Sequence, residues 1–293
     1  MQALILAAGM GRRLGEYTAE NTKCMLPVNG TRLIDRMLRQ LSSLELTRII
    51  IVVGYGAENL RRHIAANHRQ LNIVFIENPV YDKTNNIYSL WLARDLMAED
   101  ETLLLESDLI FDDKVLRLAL ESEEPNVALV AKYQTWMDGT MVRIDCDRNI
   151  VNFIPKTAFS YADTAHYYKT VNIYKFSRSF TTDHYLPFLE AYIRVMGENE
   201  YYEQVLRVIT LIDNSGIKAL PVGDLHWYEI DDVQDLRIAE TIFAEPKERL
   251  KKMQHSFGGY WRYPGVIDFC YLVNPYFPQP RMVDEMKANF DTL

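Results

Sequence analysis

Residues 5–30, ILAAGMGRRLGEYTAENTKCMLPVNG, place a glycine turn and three cations in the loop that follows a hydrophobic strand. The first residues of the turn are small, which lets the backbone approach a nucleotide closely and aim successive N–H groups at phosphate oxygens. These small residues are Ala7, Ala8, Gly9 and Gly11. The cations that would balance phosphate charge are Arg12, Arg13 and Lys23. The loop therefore predicts a cradle for a triphosphate.

A dinucleotide site and an ordinary tight turn are the other interpretations of such a loop. A dinucleotide fold needs a G-x-G-x-x-G run and an acidic residue at the end of the second strand. This loop instead reads GMGRRLG from Gly9, and the second predicted strand, residues 48–53, runs into Gly-Tyr-Gly. A Walker loop needs Gly-Lys followed by Ser or Thr, which the chain does not contain. Both alternatives are therefore disfavoured.

The same segment resembles the signature of the nucleotidyltransferases that activate small phosphorylated molecules, L-x-A-G-x-G-x-R-L followed by K-x-x-x-P-V-x-G. The matching residues are Leu6, Ala8, Gly9, Gly11, Arg13, Leu14, Lys23, Pro27, Val28 and Gly30. The resemblance implies a nucleotide-binding set of Leu6, Ala7, Ala8, Gly9, Met10, Gly11, Arg12, Arg13 and Lys23. It also implies that Arg13 grips the β and γ phosphates and that Lys23 reaches the α phosphate, although either could be a solvated loop charge.

Carboxylates at strand ends are needed because nucleotidyl transfer requires a metal between the α phosphate and the leaving pyrophosphate. Asp108 follows the predicted strand 102–107 and occupies the place of the first metal-binding aspartate of the superfamily, although it could instead be a cap. The cluster Glu-Ile-Asp-Asp at 229–232 resembles the D-x-D-T-P-E-D-L ending of many cytidylyltransferases. The resemblance implies Asp108, Asp231 and Glu229 as magnesium ligands. Asp232 is expected to cap the next helix. The choice of Asp231 over Asp232 as the metal ligand depends on a shift of one residue along the strand.

Small polar side chains follow the third predicted strand and could read the edges of a pyrimidine. They are Asn78, Asn85, Asn86 and Ser89. Helix capping alone would explain Asn86 or Thr84. The strings N-N-x-Y-S-L, Y-E-I-D and V-Q-D resemble the bacterial phosphocholine cytidylyltransferases, and that resemblance favours cytidine.

The acceptor pocket is expected in a lid at about residues 133–170. A choline acceptor would need an aromatic cage, for which Tyr133, Trp136, Tyr161, Tyr168 and Trp227 are candidates. A primary amine with a phosphonate would need a carboxylate and cations, for which Asp138, Lys156 and Lys169 are candidates. An aromatic stripe is more often core than cage.

Alternating apolar runs and helical patterns through the first half predict an α/β fold. We expect a Rossmann-like, mostly parallel sheet with helices on both faces, which is the nucleotidyltransferase or GT-A-like arrangement, with ligands at the carboxyl ends of the strands. In the first half we expect strands at 2–8, 48–53 and 73–77 besides the one at 102–107, with helices at 32–44, 57–67, 87–97 and 114–120. Strands without intervening helices from about residue 126, at 127–133, 141–145 and 150–154, predict the small β-rich lid. A strand at 170–176 and helices at 181–196 and 200–214 are expected to follow. The domain is expected to span residues 1–245.

Residues 246–293 form a C-terminal arm rich in aromatic residues and prolines, and from His255 it resembles the lead-in to an aminotransferase that uses pyridoxal phosphate. The sequence lacks the catalytic core of such a domain, so a packing arm or dimer arm is an alternative. Cytidylyltransferase and aminotransferase are joined in bifunctional enzymes of 2-aminoethylphosphonate metabolism. This resemblance implies transfer of CMP from CTP to 2-aminoethylphosphonate. Phosphocholine is the alternative acceptor, and a catalytically silent nucleotide-binding regulator is the alternative class.

Composition limits the partners of the 293-residue chain. Its net charge of −8 disfavours a general nucleic-acid or acidic-membrane surface, so any anion site must be local. Three widely spaced cysteines without a C-x-x-C pair fit a reduced, cytoplasmic location. No signal peptide is recognised before the first strand, and no apolar run approaches about 18 residues. We expect CTP and a small phosphonate or phosphate as ligands, with an aminotransferase fusion or contact and a homodimer as further possibilities.

Overall fold

A computed structural model describes residues 1–212, 216–255, 262–263 and 276–292. Contacts divide the chain into two units, Met1–Gln254 and His255–Leu293. Residues 256–261, 264–275 and 293 of the arm, which include Cys270, lie outside the described residues, as does the end of the helix predicted at 200–214. The predicted domain boundary at residue 245 and the predicted function of the arm stay predictions.

Strands and α helices alternate along the first half of the chain, as the sequence predicts. The strands are β1 (Gln2–Ala7), β2 (Pro27–Val28), β3 (Thr31–Arg32), β4 (Ile49–Val53), β5 (Ile73–Glu77), β6 (Thr102–Glu106), β7 (Leu109–Phe111), β8 (Val127–Lys132), β9 (Met141–Ile144), β10 (Ile150–Ile154), β11 (Tyr167–Phe176), β12 (Lys218–Pro221) and β13 (Trp227–Glu229). The helices are α1 (Leu33–Ser42), α2 (Ala57–Asn67), α3 (Asn86–Leu92), α4 (Arg94–Met97), α5 (Lys114–Glu121), α6 (Arg178–Phe180), α7 (Leu186–Met196), α8 (Glu203–Ile212), α9 (Val233–Ile242), α10 (Pro246–Gln254) and α11 (Pro280–Ala288).

The main sheet has the strand order β10-β9-β11-β6-β1-β4-β5, and β8 pairs with both β11 and β12. Strands β6, β1, β4 and β5 are parallel neighbours, whereas β11 is antiparallel to β6, β8 and β9. Alternate residues of β1 face two hydrophobic cores, with Ala3 and Ile5 on one side and Leu4 and Leu6 on the other. Helices α1, α2 and α5 cover the first face and α3, α7 and α8 the second. The predicted sheet with helices on both faces is confirmed.

Several elements of the structure differ from their predicted ranges. The single helix predicted at 87–97 is interrupted at Ala93, which separates α3 from α4. The helix predicted at 181–196 begins with a π turn, Thr181–Tyr185, before α7. Strand β11 begins three residues before the predicted start at 170. These local changes leave the order of the elements as predicted.

Strand β11 connects the central sheet to an antiparallel hairpin. Its C-terminal part pairs with β6, and its first residues pair with β9 of the β9–β10 hairpin. The pairing with β8 shifts register between Thr170 and Tyr174, where Asn172 has a left-handed backbone with φ of 60°. Such a bulge re-aims side chains. The hairpin and two 3₁₀ turns make up most of segment 133–170, for which a lid function remains a prediction.

Two other features complete the description. Helix α10 packs on α9, where Arg249 donates to the Ile242 carbonyl at 2.7 Å. The second unit contains α11 and a short 3₁₀ turn, Phe290–Thr292. Within the described residues, every helix is too short or too polar to cross a membrane.

Two histidines share one carboxylate oxygen where α1 packs near the end of α2. Nε2 of His63 donates to Oδ1 of Asp35 at 2.7 Å, and Nε2 of His68 donates to the same oxygen at 2.8 Å. Burial alone would raise the pKa of Asp35, but the bonds from His68 and His63 outweigh it and lower that pKa. The cluster therefore stabilises the helix pair through an ionised aspartate.

We expect Asp35→Ala to lower the free energy of unfolding by about 1–2 kcal/mol at pH 7, since hydrogen bonds to a partly buried charge are lost. Because folding depresses the pKa of Asp35, this contribution is present above the ordinary aspartate pKa and is lost as pH falls through the folded value. Urea unfolding at pH 7 and near pH 3 measures it. The exposed Asp95→Ala is the control and should stay within about 0.5 kcal/mol. Equal unfolding free energies for both variants at pH 7 would contradict the assignment.

Candidate active site

A cavity of about 630 Å³ opens at the carboxyl ends of β1, β5 and β6. Its walls begin directly after these strands, with Ala8 after β1, Asn78 after β5 and Ser107 after β6. Ligands of parallel α/β sheets bind at this edge. The glycine loop and both predicted acidic segments meet in this one cavity.

The lining is densely charged and contains both signs. Its basic residues are Arg12, Arg13, Lys23, Lys156 and Lys169. Its acidic residues are Glu106, Asp108, Asp138, Glu203, Glu229 and Asp231. Five basic and six acidic side chains therefore share this lining, and the predicted local anion site stays a prediction.

Threonine hydroxyls hold the glycine loop in shape. Thr22 Oγ1 donates to the carbonyls of Ala7 and Gly9 at 3.2 Å each, and Thr18 Oγ1 donates to the Gly11 carbonyl at 2.9 Å. Gly11 has φ of 61°, and a β-carbon there would lie 3.2 Å from Thr18 Cγ2. A β-carbon on Gly9 would meet nothing within 4 Å. The loop thus requires glycine at residue 11 for its conformation, and Gly9 leaves open space at the cavity.

Lys23 joins two carboxylates that are far apart in sequence. Its Nζ lies 2.7 Å from Asp108 Oδ2 and 2.8 Å from Asp231 Oδ1, and Arg13 Nη2 lies 2.7 Å from the same Asp231 oxygen. Burial would lower the pKa of Lys23, but the two carboxylates outweigh it and raise that pKa. Burial would raise the pKa of Asp231, yet Lys23 and Arg13 outweigh it and lower that pKa. Lys23, Arg13 and Asp231 are therefore charged together.

Three carboxylates form a cluster whose oxygens could hold a metal ion. One oxygen each from Asp108, Glu229 and Asp231 lies within 4.8 Å of the others. Oδ1 of Asp108 is buried without a hydrogen-bond partner among the described residues. Carboxylate oxygens are the ligands that Mg²⁺ prefers, so the donor set fits this ion. The neighbouring Lys23 and Arg13 would lie beside the same ion.

Backbone pairing positions two of the three carboxylates. Strands β7 and β13 form a separate antiparallel pair in which Leu109 faces Glu229, and Ile230 N–H donates to the Asp108 carbonyl at 3.0 Å. Asp232 caps α9, because its Oδ1 accepts from the backbone N–H groups of the second and third helical residues. Asp232 is therefore engaged as the predicted cap, while Asp231 lines the cavity.

Glu229 pairs with a buried lysine from β11. Lys169 Nζ lies 3.1 Å from Glu229 Oε2 and donates to the Thr170 carbonyl at 2.7 Å. Burial, with Asp108 and Asp231 adding to it, raises the pKa of Glu229, and Lys169 only partly opposes this shift. Glu229 thus belongs to the carboxylate cluster and also contacts Lys169, which is a predicted acceptor-binding residue.

The residues predicted to read the nucleobase line the cavity, but much of their hydrogen-bonding capacity is used within the protein. Asn78 donates to Thr84 Oγ1 at 3.0 Å and to Ser89 Oγ at 3.1 Å. Asn85 caps α3, and Asn86 donates to Glu106 at 3.1 Å. These bonds fix the loop between β5 and α3. Base recognition by these side chains stays a prediction.

Among the predicted acceptor residues, Asp138, Lys156 and Lys169 line the cavity. Lys156 Nζ lies 2.9 Å from Asp138 Oδ2, and both side chains are exposed. Trp136 instead stacks on Tyr228 with ring centroids 5.1 Å apart, and Tyr168 lies under Lys132 Nζ at 4.5 Å. Seven candidate site residues are not among the described residues that line the cavity, namely Ala7, Met10, Tyr133, Trp136, Tyr161, Tyr168 and Trp227.

Sequence reasoning missed two acids that also line the cavity, the half-buried Glu106 and the buried Glu203. Burial raises the pKa of Glu203 to about 7. Burial, with Asp108 adding to it, raises the pKa of Glu106 well above the ordinary value. The sequence contains a pattern that could have identified both acids, namely a charged residue at an otherwise apolar position. Glu106 ends an apolar strand, and Glu203 falls on the buried helix face that includes Leu206 and Ile209.

Comparison with known proteins gives consistent matches. The family model described as MobA-like NTP transferase domain matches residues 3–170. CMP-5'-(3-aminopropyl)phosphonate synthase of Streptomyces rubellomurinus is 30% identical over 294 residues, covering 100% of this chain and 46% of that protein. The 2-aminoethylphosphonate cytidylyltransferase of Lancefieldella rimae is 34% identical over 112 residues, covering 38% of this chain and 44% of that protein. The chain spans 46% of the length of the first relative, about half.

The fold also matches solved structures. The CTP:phosphocholine cytidylyltransferase of Streptococcus pneumoniae superposes with a TM-score of 0.68 and 21% identity, covering 83% of this chain and 99% of that chain. The inositol-1-phosphate CTP transferase of T. maritima gives a TM-score of 0.65 at 20% identity, covering 88% of this chain and 97% of that chain. At these identities the likeness establishes the shared nucleotidyltransferase fold.

Proposed function

The chain belongs to the MobA-like NTP transferase family, and we propose that it is a magnesium-dependent cytidylyltransferase that transfers CMP from CTP to 2-aminoethylphosphonate. In this reaction a phosphonate oxygen of the acceptor forms a bond to the α phosphorus, and the bond from that phosphorus to the oxygen bridging to the β phosphate breaks. The products are CMP-2-aminoethylphosphonate and pyrophosphate. The observation that carries the proposal is the contact of Lys23 with Asp108 and Asp231 beside the glycine loop.

The glycine loop and its cations support triphosphate binding. Gly9 leaves open space at the cavity, and Arg12 and Arg13 line the same wall. Arg13 is two-thirds exposed, so its guanidinium can move toward phosphate oxygens. We assign Arg13 to the leaving pyrophosphate and Lys23 to the α phosphate. An anionic phosphonate oxygen is already a nucleophile, so the reaction needs no general base.

The acidic cluster supports a divalent cation. Asp108, Glu229 and Asp231 would hold it, and when bound it would neutralise charge on the triphosphate and orient it. Lys23 stays buried between two of these carboxylates, where it can meet the negative charge that grows on the phosphorus oxygens. The residues needed for activity are present together, which argues against a catalytically silent regulator.

The charge pattern supports an acceptor with a primary ammonium and a phosphonate. Lys156 and Lys169 could bind the anionic end, and the carboxylates of the same cavity could bind the cationic end. The alternative acceptor, phosphocholine, would need aromatic rings around its methyl groups. Trp136 and Tyr168, two candidates for that cage, are engaged with Tyr228 and Lys132. The printed names of the two relatives given above also contain aminoalkylphosphonates.

The test is pyrophosphate release over a matrix of nucleotides and acceptors with magnesium present. We expect CTP to be the preferred nucleotide and 2-aminoethylphosphonate to exceed phosphocholine at least about tenfold in kcat/KM, which corresponds to roughly 1.4 kcal/mol. If the site accepts hydrogen bonds from a primary ammonium, its hydrogen-bond acceptors have no donor when a trimethylammonium group binds instead. If phosphocholine were used equally well or better, the acceptor would be phosphocholine and the proposed acceptor would be wrong. The aminotransferase partner, the homodimer and the cytoplasmic location remain predictions without further support.

A further inference from the structure

A buried carboxylate that the proposed reaction has not yet used lies in the wall of the cavity. Glu203 is the first residue of α8, and only 6% of it is exposed. Its Oε2 is buried and has no hydrogen-bond partner among the described residues. We infer that Glu203 accepts a hydrogen bond from the primary ammonium of the acceptor. This inference rests on the proposed function and deepens it by assigning the residue that recognises the amine.

The backbone around Glu203 is fixed, so its side chain is aimed by the fold. The preceding residue, Tyr202, donates its N–H to Asn86 Oδ1 at 3.0 Å. Glu198 and Glu200 accept at their carbonyls from the N–H groups of Asn85 and Ile87, at 3.0 and 3.3 Å. The segment before α8 is thus tied directly to the start of α3, which also lines the cavity. A carboxylate that the fold holds in position in this way is suited to accept hydrogen bonds from a small cationic ligand.

A cation is the ligand that fits this wall. Glu106 lies in the same lining and accepts from Asn86, so a half-buried and a buried acid border this part of the cavity. Lys169 is the nearby buried cation, but its ammonium contacts Glu229 and the Thr170 carbonyl. The cations that would attract a phosphonate, Arg12, Arg13 and Lys156, lie elsewhere in the lining. A molecule with an ammonium at one end and a phosphonate at the other matches both parts.

A primary ammonium is favoured over other cations by hydrogen bonding. A buried carboxylate oxygen without a donor carries a desolvation cost that a ligand N–H removes. An ammonium carries three donors, whereas a trimethylammonium group carries none. Glu203 also differs from the proposed metal ligands, because the oxygens that converge within 4.8 Å belong to Asp108, Glu229 and Asp231.

The test compares Glu203→Gln with the unaltered chain using two acceptors at saturating CTP and magnesium. Ethylphosphonate has the same nucleophilic oxygens as 2-aminoethylphosphonate but no amine. We expect Glu203→Gln to raise the KM for 2-aminoethylphosphonate at least about tenfold and to leave kcat/KM for ethylphosphonate within about twofold. Glu198→Gln is the matched control, since it removes the same charge from an exposed residue five positions away that does not line the cavity. Its preference between the two acceptors should stay native.

Calorimetric titration of 2-aminoethylphosphonate and ethylphosphonate into both proteins keeps the inference testable without turnover. Loss of 2-aminoethylphosphonate binding in Glu203→Gln alone supports the inference even if no CMP transfer occurs, an outcome that would overturn only the proposed function. Native preference for 2-aminoethylphosphonate in a Glu203→Gln protein would overturn the inference and leave the proposed function standing. Circular dichroism and a thermal midpoint within a few degrees of the unaltered chain verify that the variant folds.

Discussion

Replacing Asp108 or Asp231 by asparagine is expected to lower kcat by about 10²–10³-fold, or about 2.7–4 kcal/mol of transition-state stabilisation. Each substitution removes one negative ligand from the carboxylate cluster and one partner from Lys23. Pyrophosphate release measured against magnesium concentration should show both a lower kcat and a higher magnesium requirement. The two variants test the assignment of the metal site directly.

Asp232→Asn is the matched control for this prediction, because it makes the same chemical change one residue from Asp231. Asp232 caps α9 through backbone N–H groups, and asparagine caps about as well as aspartate. We therefore expect near-native kcat and magnesium dependence. A reversed result, with Asp232→Asn inactive and Asp231→Asn active, would show that the cluster is shifted by one residue.

Replacing Lys23 by alanine is expected to lower kcat by about 10²–10³-fold with little change in the KM for CTP. The charge that Lys23 meets grows in the transition state, so its loss acts mainly on the chemical step. Arg13→Ala should change both kcat and KM, because Arg13 is assigned to phosphates that are already charged in the bound nucleotide. Steady-state kinetics at saturating acceptor measure these effects.

Lys83→Ala is the control for Lys23→Ala, since Lys83 is exposed and lies outside the cavity lining. Its kinetics should match those of the unaltered chain. If Lys23→Ala raised the KM for CTP while kcat stayed native, Lys23 would be a binding residue only. Urea unfolding of Lys23→Ala shows whether the loss of the cation between two carboxylates also destabilises the fold.

The sequence was most informative where function requires residue types at fixed spacing. The glycine loop could be located because Gly11 must adopt a left-handed backbone, which favours glycine at that position. The bounds of α2, β5 and β10 also match the predicted ranges, since their apolar patterns follow a single period. Asp232 could be predicted as a cap from its place before α9.

The parts that could not be predicted depend on contacts between distant segments. Trp136 has the residue type that suits either a cage or a core, and only the packed structure shows that it stacks on Tyr228. Glu203 lies far in sequence from the glycine loop, and its burial depends on how α8 packs against the sheet. No local pattern gives the distance between such residues. Tertiary packing therefore decides which polar side chains share the cavity.

The pairing of β7 with β13 has a consequence for how this enzyme class can diverge. The spacing of Asp108 and Asp231 is set by a short backbone ladder, whereas Asp138, Lys156, Lys169 and Glu203 all lie in the long stretch of chain between those two strands. Loops in that stretch can change length or composition without altering the ladder. Under the proposed roles the arrangement is modular, because the loop that carries Asp138 and the turn that carries Lys156 can change, or be exchanged by grafting, while the ladder holds Asp108 and Asp231 in place.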